Sequence, residues 1–412
     1  MKRVIHKWLG SVATIAAVTI CLSTQSFALV SSGQIAPADG ISGQDIMVGN
    51  GVKTGHIQDG SVTDAKIVSI SAEKIAGIIG VDKIASYAGV KIVHKGAVDG
   101  VNTFTTIAAA VQAIGANTAE RYAIVVMPGV YTEDFSFFDA AGTFNMDIIG
   151  ASRSGSYLKA TGNHWRAYDP SWRSYLHLAN GLFLKNLSFE GIVDIGYTSG
   201  AGIVDCDLLP ARAPQGAGYA IMGHAPKSVT VENVYIETDQ LGMWLYAMGD
   251  GNPEDGYIFN NIRIHGVGTG AEGIWAFPSN TSRPIRFSNI TMTSTIYKGF
   301  TFYSYSGGET ELYNITFSGS GSPFQYGGSG WHRVNARNCN FNSAADLVYG
   351  GGNSAMAITI DNSTIKSTVS GSASPVKIGG SKIIAPITSS NGSVKIINSY
   401  DGNYDAIPNG NY

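Results

Sequence analysis

The chain has 412 residues, of which 14% are charged and 52 are glycine, with 27 Lys and Arg against 30 Asp and Glu. That length suffices for one large core, and low charge with abundant Gly, Ser, Thr and Asn describes a turn-dense all-β protein. No basic stripe exists to neutralise phosphates, which argues against nucleic acid as a partner.

The first element in chain order reads as a targeting segment. Lys2, Arg3 and Lys7 form a positive start, Trp8 to Leu22 is apolar, and Ser26-Phe27-Ala28 is a small-x-small cleavage site. The apolar run is short for a membrane span. Cleavage after Ala28 and export to the extracellular space or cell surface are therefore expected, with no membrane span in the mature chain. Removing three cations leaves 24 against 30 acids, a mature charge of −6. Residues 29–95 carry the units "DAKI", "AEKI", "VDKI" and "GVKI", ending at Ile67, Ile75, Ile84 and Ile92. Each holds one or two apolar residues, too few for a core of its own. Such a segment packs on copies of itself or on another chain, or serves as a flexible linker. It resembles the repetitive stalks of trimeric surface fibres and phage tail proteins, which implies a homotrimer formed through residues 29–95.

A short helix is predicted over 106–116, with Ile107, Ala110, Val111 and Ile114 on one face, Thr and Asn before it and Gly115 near its end. "AIVVMPGVY" then reads as a buried strand broken by Pro-Gly. From there the chain repeats itself. "LKNLSF" (Asn186), "IVDCDL" (Asp205), "VENVYI" (Asn233), "FNNIRI" (Asn261), "FSNITM" (Asn289), "LYNITF" (Asn314), "ARNCNF" (Asn338), "IDNSTI" (Asn362), "IGGSKI" (Gly380) and "IINSYD" (Asn398) align on one template. The steps from 186 are 19, 28, 28, 28, 25, 24, 24, 18 and 18 residues. The Asn position marks a bend, because Asn tolerates left-handed backbone angles, and identical side chains stacked on one another bond along the stack. After each bend the side chains run in, out, in, as in Val234, Tyr235 and Ile236. This register predicts a parallel β-helix over 96–412 in which each coil bonds to the next at a rise of about 4.8 Å. The helix would cover its N-terminal end, where a bare sheet edge would recruit other strands. Cys206 and Cys339 both follow a bend and point inward, five coils or roughly 24 Å apart. They are beyond disulfide reach and read as core thiols.

The Asn-bend coils, together with "TIAAAVQAIG…AIVVMPGVYTED", resemble the pectin-lyase-like superfamily of right-handed β-helices over about residues 96–400. The opening is similar to that of pectin methylesterases, where a helix is followed by Pro-Gly-x-Tyr-x-Glu, here Pro128 to Glu133. The resemblance implies a fold and not an activity, since this fold hosts lyases, hydrolases, esterases and non-catalytic adhesins. The catalytic motifs of the methylesterases are missing. "QD" occurs at Gln44-Asp45 and Gln58-Asp59, both ahead of the coils, and "SRPI" at Arg283 lacks the flanking Gly and Trp. Polygalacturonase carboxylate pairs are absent. Asp205, Asp207 and Arg212 give only part of a calcium-dependent lyase pattern.

One feature points to a ligand. "GMWLY" (242–246), "GIWAF" (273–277) and "GFTFY" (299–303) align, with Met243, Leu245, Ile274, Ala276, Phe300 and Phe302 inward. Trp244, Tyr246, Trp275, Phe277, Thr301 and Tyr303 then form an outward stripe. A contiguous aromatic patch needs an explanation. Either it binds sugar rings on its flat faces, or it meets a protein partner, or a loop such as 247–257 or 278–284 folds over it. Glu237, Asp239, His265 and Glu272 are the acid–base candidates near that face, with Glu237 beside His265 and Tyr235 beside Arg263 on consecutive coils. Polar side chains laddered on a solvent-facing wall also account for them. No cofactor is expected; Ca2+ is compatible with the sequence, but no metal-ligand spacing supports it. The sequence therefore describes an exported β-helix that binds polysaccharide through an aromatic face, as an adhesin or fibre protein. The alternatives are a polysaccharide lyase or glycoside hydrolase acting on an acidic or neutral glycan, and a purely structural surface fibre.

Overall fold

The computed structural model describes residues 87–116, 118–139, 142–161, 175–209, 218–248, 256–278, 284–304, 307–349, 356–370, 374–388 and 393–412. The chain divides into two units, Met1–Ser71 and Ala72–Tyr412, and every described residue lies in the second. The targeting segment and the stalk as far as residue 86 lie outside the described residues.

The second unit winds as a right-handed parallel β-helix. Each coil contributes a strand before the bend and a strand after it, both in one large sheet. Val369–Ser370 and Ile387–Thr388 pair in a small sheet of their own, and in seven coils a third strand joins a separate parallel sheet. That second sheet runs in chain order through Tyr175–His177, Ile192–Asp194, Tyr219–His224, Leu241–Met248, Glu272–Pro278, Lys298–Phe302 and Ser322–Tyr326. Parallel neighbours joined by crossovers of this kind favour the right-handed sense. The coils therefore present three walls: pre-bend, post-bend and the separate sheet.

The bend is where sequence and geometry agree most closely. All ten aligned positions, from Asn186 to Asn398 and including Asp205 and Gly380, are left-handed, with φ between 47° and 56°. Their side chains bond from coil to coil: Asn261 Nδ2 donates to Asn233 Oδ1 at 3.1 Å, Asn314 to Asn289 at 2.6 Å and Asn362 to Asn338 at 2.6 Å, while Asn233 donates to Asp205. Asn289 departs from the ladder and reaches the neighbouring Asn260 Oδ1 at 2.7 Å. Register is one-to-one beyond the bend, with Val234 on Ile262 on Ile290, and Tyr235 on Arg263 on Thr291.

The inward position after the bend is apolar in the middle coils, held by Val234, Ile262, Ile290 and Ile315, and is serine in the last three. There Ser363 Oγ accepts from Cys339 N at 3.0 Å and donates to Asp361 O at 2.8 Å. Ser381 Oγ repeats the pattern with Ser363 N at 3.1 Å and Gly379 O at 2.8 Å. These buried hydroxyls are satisfied entirely by backbone, which removes the penalty of placing them in the core. Cys206 and Cys339 occupy the same position as buried free thiols. Burial pushes Cys206 up to about 12 and Cys339 up to about 11, as expected of core thiols.

Both ends of the coil are closed. The N-terminal helix spans Ile107–Ile114, two residues shorter at its end than the apolar spacing suggests, because Gly115 at φ 83° stops it with its N–H on Val111 O at 2.8 Å. Thr106 accepts from Ala109 N at 3.1 Å, and Glu133 accepts from Ile107 N at 2.9 Å and Ala108 N at 3.0 Å. The Pro-Gly-x-Tyr-x-Glu stretch is thus a fastening for the cap: buried Tyr131 donates to Met127 O at 2.9 Å, and Glu133 holds the first helical amides. Strand Gly89–Val93, which contains the last Lys-Ile unit, pairs parallel with Tyr122–Val126 in the large sheet. Tyr87, Arg121 and Lys185 converge on the buried carboxylate of Asp147 and tie this strand down. At the other end, Ala406–Ile407 and Gly410–Asn411 fold back antiparallel on the last strands.

Candidate functional site

The outward stripe lies on the separate sheet. Trp244 pairs with Trp275, one coil apart, and Trp275 with Thr301. The chain reaches this wall through Gly242, Gly273 and Gly299, which face the core at the corner. A Cβ on Gly242 would sit 2.8 Å from Gly273 O and 3.0 Å from Ile264 Cγ2, so close approach selects glycine there. Alternation then turns Met243, Leu245, Ile274, Ala276, Phe300 and Phe302 into the core. Trp244, Tyr246, Trp275, Phe277 and Tyr303 are half-buried on the outside. Thr301 also lies on this side but is covered by its neighbours, 1% exposed.

The stripe is longer than its sequence alignment. Rings follow one another coil by coil: Tyr197 to His224 at 4.7 Å, His224 to Tyr246 at 4.8 Å, Tyr246 to Phe277 at 5.2 Å and Phe277 to Tyr303 at 4.7 Å. A second row places Tyr219 at 5.9 Å from Trp244. Tyr197, Tyr219 and His224 were missed from sequence. Aligning "GYAIMGH" with "LGMWLYAM" would have found two of them, since Tyr219 pairs with Leu241 and His224 with Tyr246. In the column, Phe277 and Tyr303 lie within 9° of parallel and His224 and Tyr246 within 26°. These faces are turned toward one another along the axis instead of outward as the sequence suggested. The Trp275 indole is tilted 43° from Tyr303 and 48° from Phe277, and its Nε1 donates to Glu272.

The acid–base candidates are divided between walls. Glu237 and His265 are in register on the post-bend wall, as the repeat predicts, but they do not bond each other. His265 Nδ1 lies 3.1 Å from Thr293 Oγ1, and Glu237 accepts from Tyr235 O–H at 3.4 Å. Tyr235 and Arg263 stand beside them, the guanidinium 5.9 Å from the ring centroid. All four therefore occupy a wall other than that of Trp244, which the sequence had placed beside them. Asp239 is in the turn between the two sheets. Glu272 does stand on the aromatic wall, but both its oxygens are engaged, one by Trp275 and one by Lys298 Nζ at 3.1 Å. Lys298 is itself held over the rings of Tyr297 and Tyr349 at 5.3 and 5.2 Å. A carboxylate fixed by an ammonium and an indole N–H orients those groups and is poorly placed to move a proton. Near one end of the wall, buried His177 Nδ1 lies 3.3 Å from buried Asp194 Oδ2. Among the described residues no three His, Cys, Asp or Glu side chains converge as a metal-ligand set requires. Of the loops 247–257 and 278–284, the alternative covers for the stripe, residues 249–255 and 279–283 lie outside the described residues.

No family model and no curated protein matches this chain. Among solved structures, the pectin methylesterase from Aspergillus niger is similar at 12% identity over 77% of this chain and 87% of that chain, with a TM-score of 0.27. At those values the likeness says nothing of activity.

Proposed function

We propose that this protein is a secreted or surface-attached β-helix that binds polysaccharide through the aromatic wall, without cleaving it. The observation that carries the proposal is the register of Trp244 on Trp275, one rung apart and half-buried, inside an unbroken series of ring contacts from Tyr197 to Tyr303. A linear glycan laid along the axis would meet ring edges, tyrosine hydroxyls and the tilted indole of Trp275. Apolar area with a few polar groups at fixed positions suits a sugar. The separation of Glu237 and His265 from Glu272, and the engagement of Glu272 by Lys298, favour binding over bond cleavage. The stalk expected over 29–95 loses its last unit to the coil, where Gly89–Val93 is a strand; a trimeric stalk formed by the repeats ahead of it would give several such walls and raise avidity.

The test is a glycan array and isothermal calorimetry on the full chain beside an assay of released reducing ends. Trp244→Ala and Trp275→Ala should each weaken binding at least about tenfold, close to 1.4 kcal/mol, with no oligosaccharide released by any form. Release that disappears in Glu272→Gln would make the protein an enzyme. Unchanged affinity in both tryptophan variants would remove the aromatic wall from the function.

A further inference from the structure

We propose a second ligand site on the pre-bend wall, independent of the aromatic wall, that takes one acidic sugar residue with Arg337 as the anion receptor. A groove of about 320 Å3 opens there, lined by Arg286, Ser288, Glu311, Leu312, Tyr313, Asn335 and Arg337. The register explains its composition. Arg286, Glu311 and Asn335 follow one another on three coils, and Ser288, Tyr313 and Arg337 run parallel to them two residues on.

The two guanidiniums are not equivalent. Arg286 is spent on Glu311, with Nε and Nη2 donating to Oε2 at 2.8 and 2.6 Å. Arg337 is exposed and makes no ion pair among the described residues. Register places Asp361 beside it on the next coil, yet the Asp361 carboxylate leans the other way, over Gly379. A Cβ at Gly379 would meet Asp361 Oδ1 at 2.6 Å, so it is the bare glycine that lets the acid turn from Arg337. Two guanidiniums against one carboxylate leave the groove one positive charge. A guanidinium fork with no internal partner is the group that takes a carboxylate or sulfate in bidentate fashion.

The rest of the groove selects a sugar over a bare ion. Tyr313, 49% exposed and next to Arg337 in register, offers a ring against which a pyranose can lie. Asn335 donates its amide to Glu309, which leaves its carbonyl oxygen as an acceptor for a hydroxyl. Around the corner runs a polar trough of about 460 Å3 lined only by Asn and Thr, including Asn289 and Asn314, which follow Ser288 and Tyr313 directly in the chain. It supplies amides and hydroxyls for neighbouring sugar residues.

Calorimetry on the full chain tests this with three probes: a glucuronate-containing oligosaccharide, its carboxyl-reduced neutral form, and the neutral form bearing one sulfate ester. The acidic probes should bind at least tenfold tighter than the neutral one. Arg337→Gln should erase that difference, Arg337→Lys should restore part of it, and Trp244→Ala should leave it intact. Whichever of carboxylate and sulfate binds tighter identifies the natural anion. Equal binding of neutral and acidic probes, or full acidic binding by a folded Arg337→Gln chain, overturns the site. Loss in Trp244→Ala alone would return the acidic ligand to the aromatic wall.

Discussion

Both ring nitrogens of His332 lie in the core without a hydrogen-bond partner, the ring stacked on Phe302 at 4.6 Å. Burial drives its pKa down to about 3. An unfolded histidine titrates near 6.5, so between those values the unfolded chain binds a proton that the folded chain refuses. Stability is therefore intact above pH 6.5 and falls as the pH drops toward 3. Between pH 6.5 and 5 this one ring should remove roughly 2 kcal/mol. Urea midpoints at the two pH values would show it, and His332→Phe should flatten the difference; a variant as acid-sensitive as the parent would refute the assignment. Nothing in the sequence marks this residue, because a histidine at an inward position of a repeat reads the same as any polar residue at a strand start. Glu272 shows the converse. Its place beside Trp275 was legible from strand alignment, but its capture by Lys298 depended on register between adjacent coils.

At the scale of one coil, the bend governs. A left-handed Asn avoids most of the about 1–2 kcal/mol that other L-residues incur there, and each ladder bond adds about 1 kcal/mol. Asn314→Ala should thus lower stability by about 2–3 kcal/mol. Asn314→Gly, which keeps the backbone angle and loses only the bond, should cost about half as much. Chemical denaturation of both variants checks the ranking, and equal losses would mean that the ladder bond rather than the angle sets the bend. Ten positions were readable from sequence because the constraint is local: one residue must adopt φ near 50°, and few residues do. The third strand was readable only in part, through its inward alternation. Loop lengths between bend and strand vary, so counting from the bend does not find the outward neighbours Tyr219 and His224; only matching the strands themselves does. The serine positions at 363, 381 and 399 carried a visible 18-residue period, but not the backbone partners that make them tolerable inside.

Across the whole molecule, a parallel β-helix must finish its two open ends, since each exposes a row of unpaired backbone groups. Here the Ile107–Ile114 helix covers one end and an antiparallel return over 405–412 covers the other. Deleting residues 401–412 should leave the coils folded and produce end-to-end association visible by sedimentation velocity. A deletion variant that sediments like the full chain would show that the return is dispensable. The sequence by itself determined the winding: alternation of apolar residues and a recurring bend residue are local rules, repeated until they admit only one architecture. It also determined the isolation of Cys206 from Cys339, which follows from counting coils. Tertiary structure alone decided what faces what on the outside. Ring planes turned toward one another, Glu272 was neutralised, Glu237 and His265 fell on another wall, and Asp361 leaned away from Arg337, because each outcome depends on side-chain rotamers and on neighbours 18 to 28 residues away. No local pattern encodes that choice; it is set by the space and charge that the adjacent coils leave free.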